Sequence, residues 1–321
     1  MQGTALRVLQ YGRMPLPQLD AELSRAYEVR MLSEESDPER FLAEEGAQFE
    51  VFATSAAMGA PAKVINALPN LKYVSSFGVG FDLLDRASIL RRGARVGYTP
   101  GVLDECVADM AFALLLDAAR GLSAADRFVR RGDWARKRFA PQTRASGKRL
   151  GILGLGRIGT AVARRATGFG MQIAYCNRRP VLDSPYLHHT SLIELARWAD
   201  FLVVTAAGGE GTRHLVDAQV LDALGPQGFL INVARGSVVD ESALVRALQR
   251  RHIAGAALDV FEDEPCPCPE LISLDNVVLA PHIASATHET RRAMGDLVLV
   301  NLQSFIATGR PVAEVPWSAQ Q

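Results

Sequence analysis

The sequence predicts an α/β protein of two doubly wound parallel-sheet domains, one inserted into the other. Three observations carry this. The chain has 321 residues, more than one ordinary hydrophobic core serves, so two domains of roughly 150 residues each are expected. Hydrophobic residues make up 48% and charged residues 22%, a balance that supports packed cores and excludes general disorder. Short apolar runs alternate with stretches of helical period along most of the chain, the pattern of parallel strands joined by crossover helices.

The candidate strands of the first part are 6–11, 27–32, 49–54, 71–77 and 95–99. Between them, 61–68 opens with Pro61 at a first helical turn and sets Val64, Ile65 and Leu68 on one face; Pro69-Asn70 stops it. A long apolar helix follows over 102–119, with Val107, Met110, Ala111, Leu114 and Leu115 at helical spacing and Gly121 just past its end. The second alternation places strands at 149–153, 172–176, 201–205, 229–233, 254–260 and 277–279, with helices near 158–167, 192–198, 217–224 and 241–250. Six parallel strands with intervening helices fit a doubly wound domain. A last helix, 288–307, carries Met294, Leu297, Val298 and Val300 and follows the completed second sheet. It is expected to return to the first domain, so that 1–100 plus 285–321 form one domain and 101–284 the inserted one.

Composition narrows the partners. Lys+Arg and Asp+Glu are 35 each, for a net charge of zero, so the basic footprint for nucleic acid or an anionic membrane is missing. Asp117 and Arg120 close the most apolar run, 110–116, too early for a membrane span, and Met1-Gln2-Gly3-Thr4-Ala5 puts no basic region before an apolar core. Cys106, Cys176, Cys266 and Cys268 are too few and scattered for a disulfide framework, and a cytoplasmic location is expected. Cys266 and Cys268 offer fewer thiols than a tetrahedral zinc site needs, and no metal is expected. His188-His189 reads as an exposed loop pair, His288 as surface, and the basic run 127–138 as a solvated helix and turn.

Gly154-Leu155-Gly156-Arg157-Ile158-Gly159 is a G-x-G-x-x-G that directly follows the strand 149–153 and opens a helix carrying Ala161, Val162 and Ala166. In this Rossmann-like context Gly154 permits the tight turn, Gly156 admits a pyrophosphate close to the backbone, and Gly159 lets the helix pack against the strand. About 20 residues on, where a site for NAD places a carboxylate, stand Asn177-Arg178-Arg179. A neutral Asn177 spares a 2′-phosphate the repulsion of a carboxylate, and two guanidinium groups can bind that phosphate, so NADP is the expected cofactor with NAD as the weaker alternative.

Three further segments put polar residues just past an apolar strand, the ligand-facing edge of such a sheet. Val233-Ala234-Arg235-Gly236 delivers Arg235; Ala257-Leu258-Asp259-Val260-Phe261 with Asp263-Glu264-Pro265 delivers Asp259 and Glu264; Pro281-His282-Ile283 delivers His282. With these five motifs in order, the chain resembles the D-isomer-specific 2-hydroxyacid dehydrogenase family over nearly its whole length, and within it the glyoxylate/hydroxypyruvate reductases.

The resemblance implies that Arg235 binds the substrate carboxylate and polarises its carbonyl, that His282 is the general acid/base and that Glu264 pairs with it. It further implies that Asp259 reaches the nicotinamide amide, that Val233 and Ala234 line the cofactor site, and that 1–100 plus 285–321 is the substrate domain around an inserted cofactor domain. Ser75-Ser76-Phe77-Gly78-Val79-Gly80 resembles the family's substrate loop, in which the N–H groups of Val79 and Gly80 hold a small carboxylate. Ser55 stands on a candidate opposite wall. The reductases it resembles dimerise through the helices near 127–138 and bring a tryptophan to the partner's site, which makes a homodimer the expectation and Trp134 a candidate substrate contact.

The chemistry asks for the same residue types. Reduction of a 2-oxo acid adds a hydride at C2 and a proton at oxygen, and a histidine with an ordinary pKa near ~6.5 exchanges that proton near neutrality. A neighbouring carboxylate favours imidazolium and extends reduction toward higher pH. The planar guanidinium of arginine holds a carboxylate with two hydrogen bonds and stays charged. The expected activity is therefore reduction of glyoxylate or hydroxypyruvate to a D-2-hydroxy acid. Family members acting on 2-ketogluconate, phosphoglycerate, formate or phosphite, and a dinucleotide-sensing, corepressor-like binding protein, stay open at this stage.

Overall fold

The computed structural model describes residues 6–317, so the reading at Met1–Ala5 lies outside the described residues. Contacts divide the chain into two compact units, one formed by the residues up to Leu103 together with those from Ala286 on, the other by Asp104–Ser285.

The first unit alternates β1 (Arg7–Gln10), α1 (Pro17–Ala26), β2 (Glu28–Met31), α2 (Pro38–Glu45), β3 (Val51–Ser55), α3 (Ala62–Asn66), β4 (Tyr73–Phe77), α4 (Arg86–Arg91) and β5 (Arg95–Gly97). All pairings are parallel, in the order β2-β1-β3-β4-β5, so the chain reverses its direction of progress between β1 and β3. Every residue of β3 and β4 is buried, as expected for strands covered by helices on both faces. Leu9, Phe52, Val74, Ile65 and Phe49 form the centre of the core on one face. The sequence bounds no helix over 17–26 or 38–45. Both begin with proline in the first turn, and Asp37 caps α2 by accepting from Arg40 N at 3.0 Å.

The second unit opens with α5 (Asp104–Arg120), whose Val107, Ala111, Leu114 and Leu115 are buried, and α6 (Leu122–Arg130). It continues through β6 (Arg149–Leu153), α7 (Arg157–Gly168), β7 (Gln172–Cys176), β8 (Leu187–His189), α8 (Leu192–Trp198), β9 (Phe201–Val204) and α9 (Ala218–Leu224). After these come β10 (Phe229–Asn232), α10 (Glu241–Gln249), β11 (Gly255–Leu258), α11 (Pro269–Ile272) and β12 (Val277–Leu279). The sheet is parallel throughout, ordered β12-β11-β10-β9-β6-β7-β8, and its reversal point falls between β6 and β9. The loop after β6 therefore opens at the crevice where ligands of doubly wound sheets bind.

Seven strands, not six, make this sheet. The addition is β8, and it corrects the reading of His188-His189 as an exposed loop pair: both are half-buried on this edge strand, and His188 Nε2 lies 3.1 Å from Asn177 O. Three residues, two of them histidine, carry no apolar run for the period to reveal. Returning to the first unit, α12 (His288–Thr308) is capped by Thr287 and lays Phe305 on Tyr73, ring centroids 4.5 Å apart. Among the described residues no helix is long and apolar enough to cross a membrane, and no group of three or more metal-ligating side chains occurs.

Candidate active site

The second unit places the glycine loop, Asn177, Arg235, Asp259 and His282 after the C-terminal ends of β6, β7, β10, β11 and β12, along one edge of the sheet. The glycines are there for space. Gly154 has φ +98°, and a Cβ on it would lie 2.7 Å from the Ala206 backbone; a Cβ on Gly159 would lie 2.4 Å from Gly154 O. Gly156 is different: nothing lies within 4 Å of where its Cβ would be, and α7 begins there with no side-chain cap. This open cradle at an uncapped helix start fits a dinucleotide pyrophosphate. Asn177 closes the loop, its Oδ1 accepting from Leu155 N at 2.7 Å. Arg178 and Arg179 are exposed beyond it, without a partner among the described residues, and Arg157 is exposed at the start of α7.

Arg235 leaves β10 through a turn closed by the buried Asn232, which accepts from Ala234 N at 3.0 Å and donates to Arg235 O at 2.9 Å. Val233 is buried and Ala234 and Arg235 are half-buried; Arg235 Nη1 donates to Ala234 O at 2.8 Å. Next to it, Gly236 lies so close to the strand-end loop of β11 that a Cβ would come within 1.8 Å of the Phe261 carbonyl carbon. Main chain thus touches main chain between the Arg235 turn and the loop that carries Glu264.

Glu264 spans that loop. Its Oε1 accepts from Phe261 N at 3.1 Å and its Oε2 pairs with His282 Nδ1 at 2.6 Å. Partial burial pushes the Glu264 carboxyl up, but the His282 hydrogen bond and charge, the Phe261 N–H and the Arg235 guanidinium together hold it below the usual carboxylate range. His282 has φ +54°, in the left-handed region, and its Nε2 has no partner among the described residues. One imidazole nitrogen is thus fixed on a carboxylate and the other is available to a ligand. Asp259 is fully buried behind it, and both its oxygens are taken by main-chain N–H groups.

A second pair escaped the sequence reading. Glu262, two residues before Glu264, pairs with His214 Nε2 and, at 3.3 Å, with Arg213 Nη2, and its N–H donates to Glu241 Oε2 at 3.1 Å. Only His282 follows a strand directly, whereas His214 lies in a loop with no apolar run to mark it.

The remaining candidates are placed separately. Trp134 is 70% exposed on the short turn Asp133–Ala135 before β6. In the first unit Ser55 is buried, its Oγ accepting from Met58 N at 3.2 Å. Gly78 is held by a hydrogen bond from its N–H to Thr99 Oγ1 at 3.0 Å, and Val79 and Gly80, just beyond, are half-buried with no main-chain acceptor for their N–H groups among the described residues.

Because Glu264 is depressed, the stabilisation it carries is present above the ordinary glutamate pKa and is lost as pH falls through its lower folded value. Glu264→Gln is therefore expected to flatten the acid side of a Tm-versus-pH curve. The variant should also lower any His282-dependent rate, since the carboxylate that fixes the ring at Nδ1 is gone. Identical rates in the two proteins would separate Glu264 from proton transfer.

A doubly wound sheet with an open glycine cradle and a carboxylate-held histidine at the same edge defines a dinucleotide-dependent oxidoreductase. Residues 112–284 match the model of the D-isomer specific 2-hydroxyacid dehydrogenase NAD-binding domain. The chain belongs to this family and is an NAD(P)-dependent 2-hydroxyacid dehydrogenase. It is 49% identical over 253 residues to glyoxylate/hydroxypyruvate reductase A of Arabidopsis thaliana, covering 79% of this chain and 81% of that one. It is 42% identical over 294 residues to hydroxyphenylpyruvate reductase of Plectranthus scutellarioides, covering 92% and 94%. Among solved structures, the NADPH-dependent glyoxylate/hydroxypyruvate reductase of Sinorhizobium meliloti with NADP and malonate superposes with TM-score 0.91 at 41% identity, covering 97% of both chains.

Proposed function

We propose that this protein reduces glyoxylate or hydroxypyruvate to the D-2-hydroxy acid with NADPH, with His282 as the proton donor. The observation that carries the reading is the His282 Nδ1 to Glu264 Oε2 contact of 2.6 Å, with Nε2 left open and Arg235 next to the same carboxylate. Gly154–Gly159 with Val233 and Ala234 would hold the dinucleotide, which would supply the hydride for C2 when bound. Arg235 binds the carboxylate of the 2-oxo acid and polarises its carbonyl. His282 gives its Nε2 proton to the carbonyl oxygen, and Glu264 stabilises the imidazolium before transfer. In the substrate domain, proposed as 1–100 with 285–321, the N–H groups of Val79 and Gly80 are assigned to a small carboxylate. Ser55 shapes their wall by closing the turn to Met58. A cytoplasmic homodimer, with Trp134 contributed to the partner's substrate, completes the reading. It needs neither nucleic acid nor membrane.

The unpartnered Arg178 and Arg179 and the neutral Asn177 support NADPH over NADH. The test is NADPH oxidation with a panel of 2-oxo acids, ranked by kcat/KM. Glyoxylate or hydroxypyruvate should lead the panel, and NADPH binding without turnover on any acid overturns the reading. Arg178→Ala with Arg179→Ala should lower kcat/KM for NADPH by about 10-fold or more, the scale of a lost charge-assisted contact, and leave NADH nearly unchanged. A wild type that prefers NADH sinks the cofactor assignment.

A further inference from the structure

We propose that Tyr175 and His188 are positioning residues that set the preference for a phosphorylated dinucleotide: they pin the two ends of the segment carrying Arg178 and Arg179, so that both guanidinium groups stand ready for a 2′-phosphate. The inference deepens the reading above and rests on NADPH as the cofactor. Its first observation is where the main chain of this segment is held. At its start His188 Nε2 lies 3.1 Å from Asn177 O, and since a carbonyl oxygen only accepts, that nitrogen is the donor. The Asn177 side chain is held separately, its Oδ1 accepting from Leu155 N at 2.7 Å. At the other end Val181 N donates to Tyr175 Oη at 2.9 Å. Only Arg178, Arg179 and Pro180 lie between the two pins, and the proline ring fixes one further φ.

The second observation is that the two pins form one unit. Tyr175 and His188 are register partners on the paired strands β7 and β8, with ring centroids 5.0 Å apart and planes tilted by 39°. Tyr175 is buried in the sheet, where phenylalanine would fill the same space; what the hydroxyl adds is the bond to Val181. His188 is half-buried on the edge strand, and what its imidazole adds is the bond to Asn177. Each polar group thus acts on the loop, while the ring beneath it packs against the other.

The third observation is what the segment presents. Arg178 and Arg179 are exposed and have no partner among the described residues, so nothing but their backbone fixes where the guanidinium groups start from. Ordering a loose loop around a phosphate costs conformational entropy, and a backbone already held at both ends lowers that cost. NADPH draws on this, because its 2′-phosphate needs the two donors in place; NADH, with a hydroxyl there, does not. Tyr175 and His188 therefore act on the difference between the two cofactors, whereas the glycine cradle serves both.

The full-length Tyr175→Phe, His188→Phe and His188→Gln proteins test this in two arms. In the first, Kd for NADPH and for NADH is measured by fluorescence titration. Tyr175→Phe and His188→Phe should each raise Kd for NADPH by about 5-fold or more and leave Kd for NADH within about twofold of wild type. His188→Gln keeps a donor where Nε2 stands and should recover most of the loss. In the second arm, NMR relaxation of the Arg178 and Arg179 amides is measured without ligand: both should be ordered on the ps–ns timescale in the wild type and mobile in His188→Phe. A Kd raised equally for both cofactors, or for neither, overturns the proposal, and so do amides whose motion is the same in the wild type and His188→Phe. If Tyr175→Phe does not fold, the two His188 variants on the edge strand decide. A wild type that binds NADH more tightly than NADPH refutes the cofactor assignment, while the relaxation arm still decides whether the segment is pinned.

Discussion

His282→Ala is expected to lower kcat for 2-oxo-acid reduction by about 100-fold or more, the contribution of a positioned proton donor. The ring is held at Nδ1 by Glu264 Oε2 at 2.6 Å, so on the proposed mechanism the proton would leave from Nε2. No neighbouring side chain takes over this role: Asp259 is sealed behind the turn, and Glu264 is an ionised acceptor held below the usual carboxylate range. NADPH affinity should hardly change, because the glycine cradle, Asn177 and the two arginines lie after other strands. Steady-state turnover at saturating NADPH, with NADPH binding measured on the same preparation, reads both quantities. Turnover within a few-fold of wild type removes His282 from the mechanism. The fold should tolerate the change, since both side chains are about a third exposed and such contacts add little to stability.

The second large effect is at Arg235. Arg235→Ala should reduce kcat/KM for the 2-oxo acid by about 30-fold or more, corresponding to the roughly 2–5 kcal/mol carried by a desolvated charge pair with a ligand. Most of it should appear as a raised KM. Arg235→Lys restores the charge without the planar fork and should recover only part of the loss. Because Arg235 also helps to keep Glu264 ionised, a smaller movement of the pH profile should accompany the change in KM. An unaltered KM with a fallen kcat would assign Arg235 to the His282–Glu264 pair instead of the substrate.

Which features the sequence discloses follows from how each leaves a local trace. Strands buried on both faces, such as β9 with Phe201, Leu202, Val203 and Val204, are continuous apolar runs, and the motifs that end them put Arg235 and His282 at the same edge of the sheet. The edge strand β8 is short and polar, so nothing in Leu187-His188-His189 marks it. α1 and α2 hold only two buried apolar side chains each, Leu19 with Leu23 and Phe41 with Leu42, too few for a period, although their prolines and the Asp37 cap were readable. At the site, residue types and order were legible, while engagement was not. That Asp259 meets three successive N–H groups, or that His214 finds Glu262, depends on segments far apart in sequence and brought together by the sheet.

The close approach at Gly236 constrains how this enzyme can change. The Arg235 turn and the Glu264 loop meet through bare backbone, so the separation of the two segments is set by peptide units rather than by rotamers. Side chains elsewhere can then be exchanged without altering that separation. The spacing behind Arg235 and Glu264 is in this sense insulated from change at other positions, and position 236 is where that insulation ends.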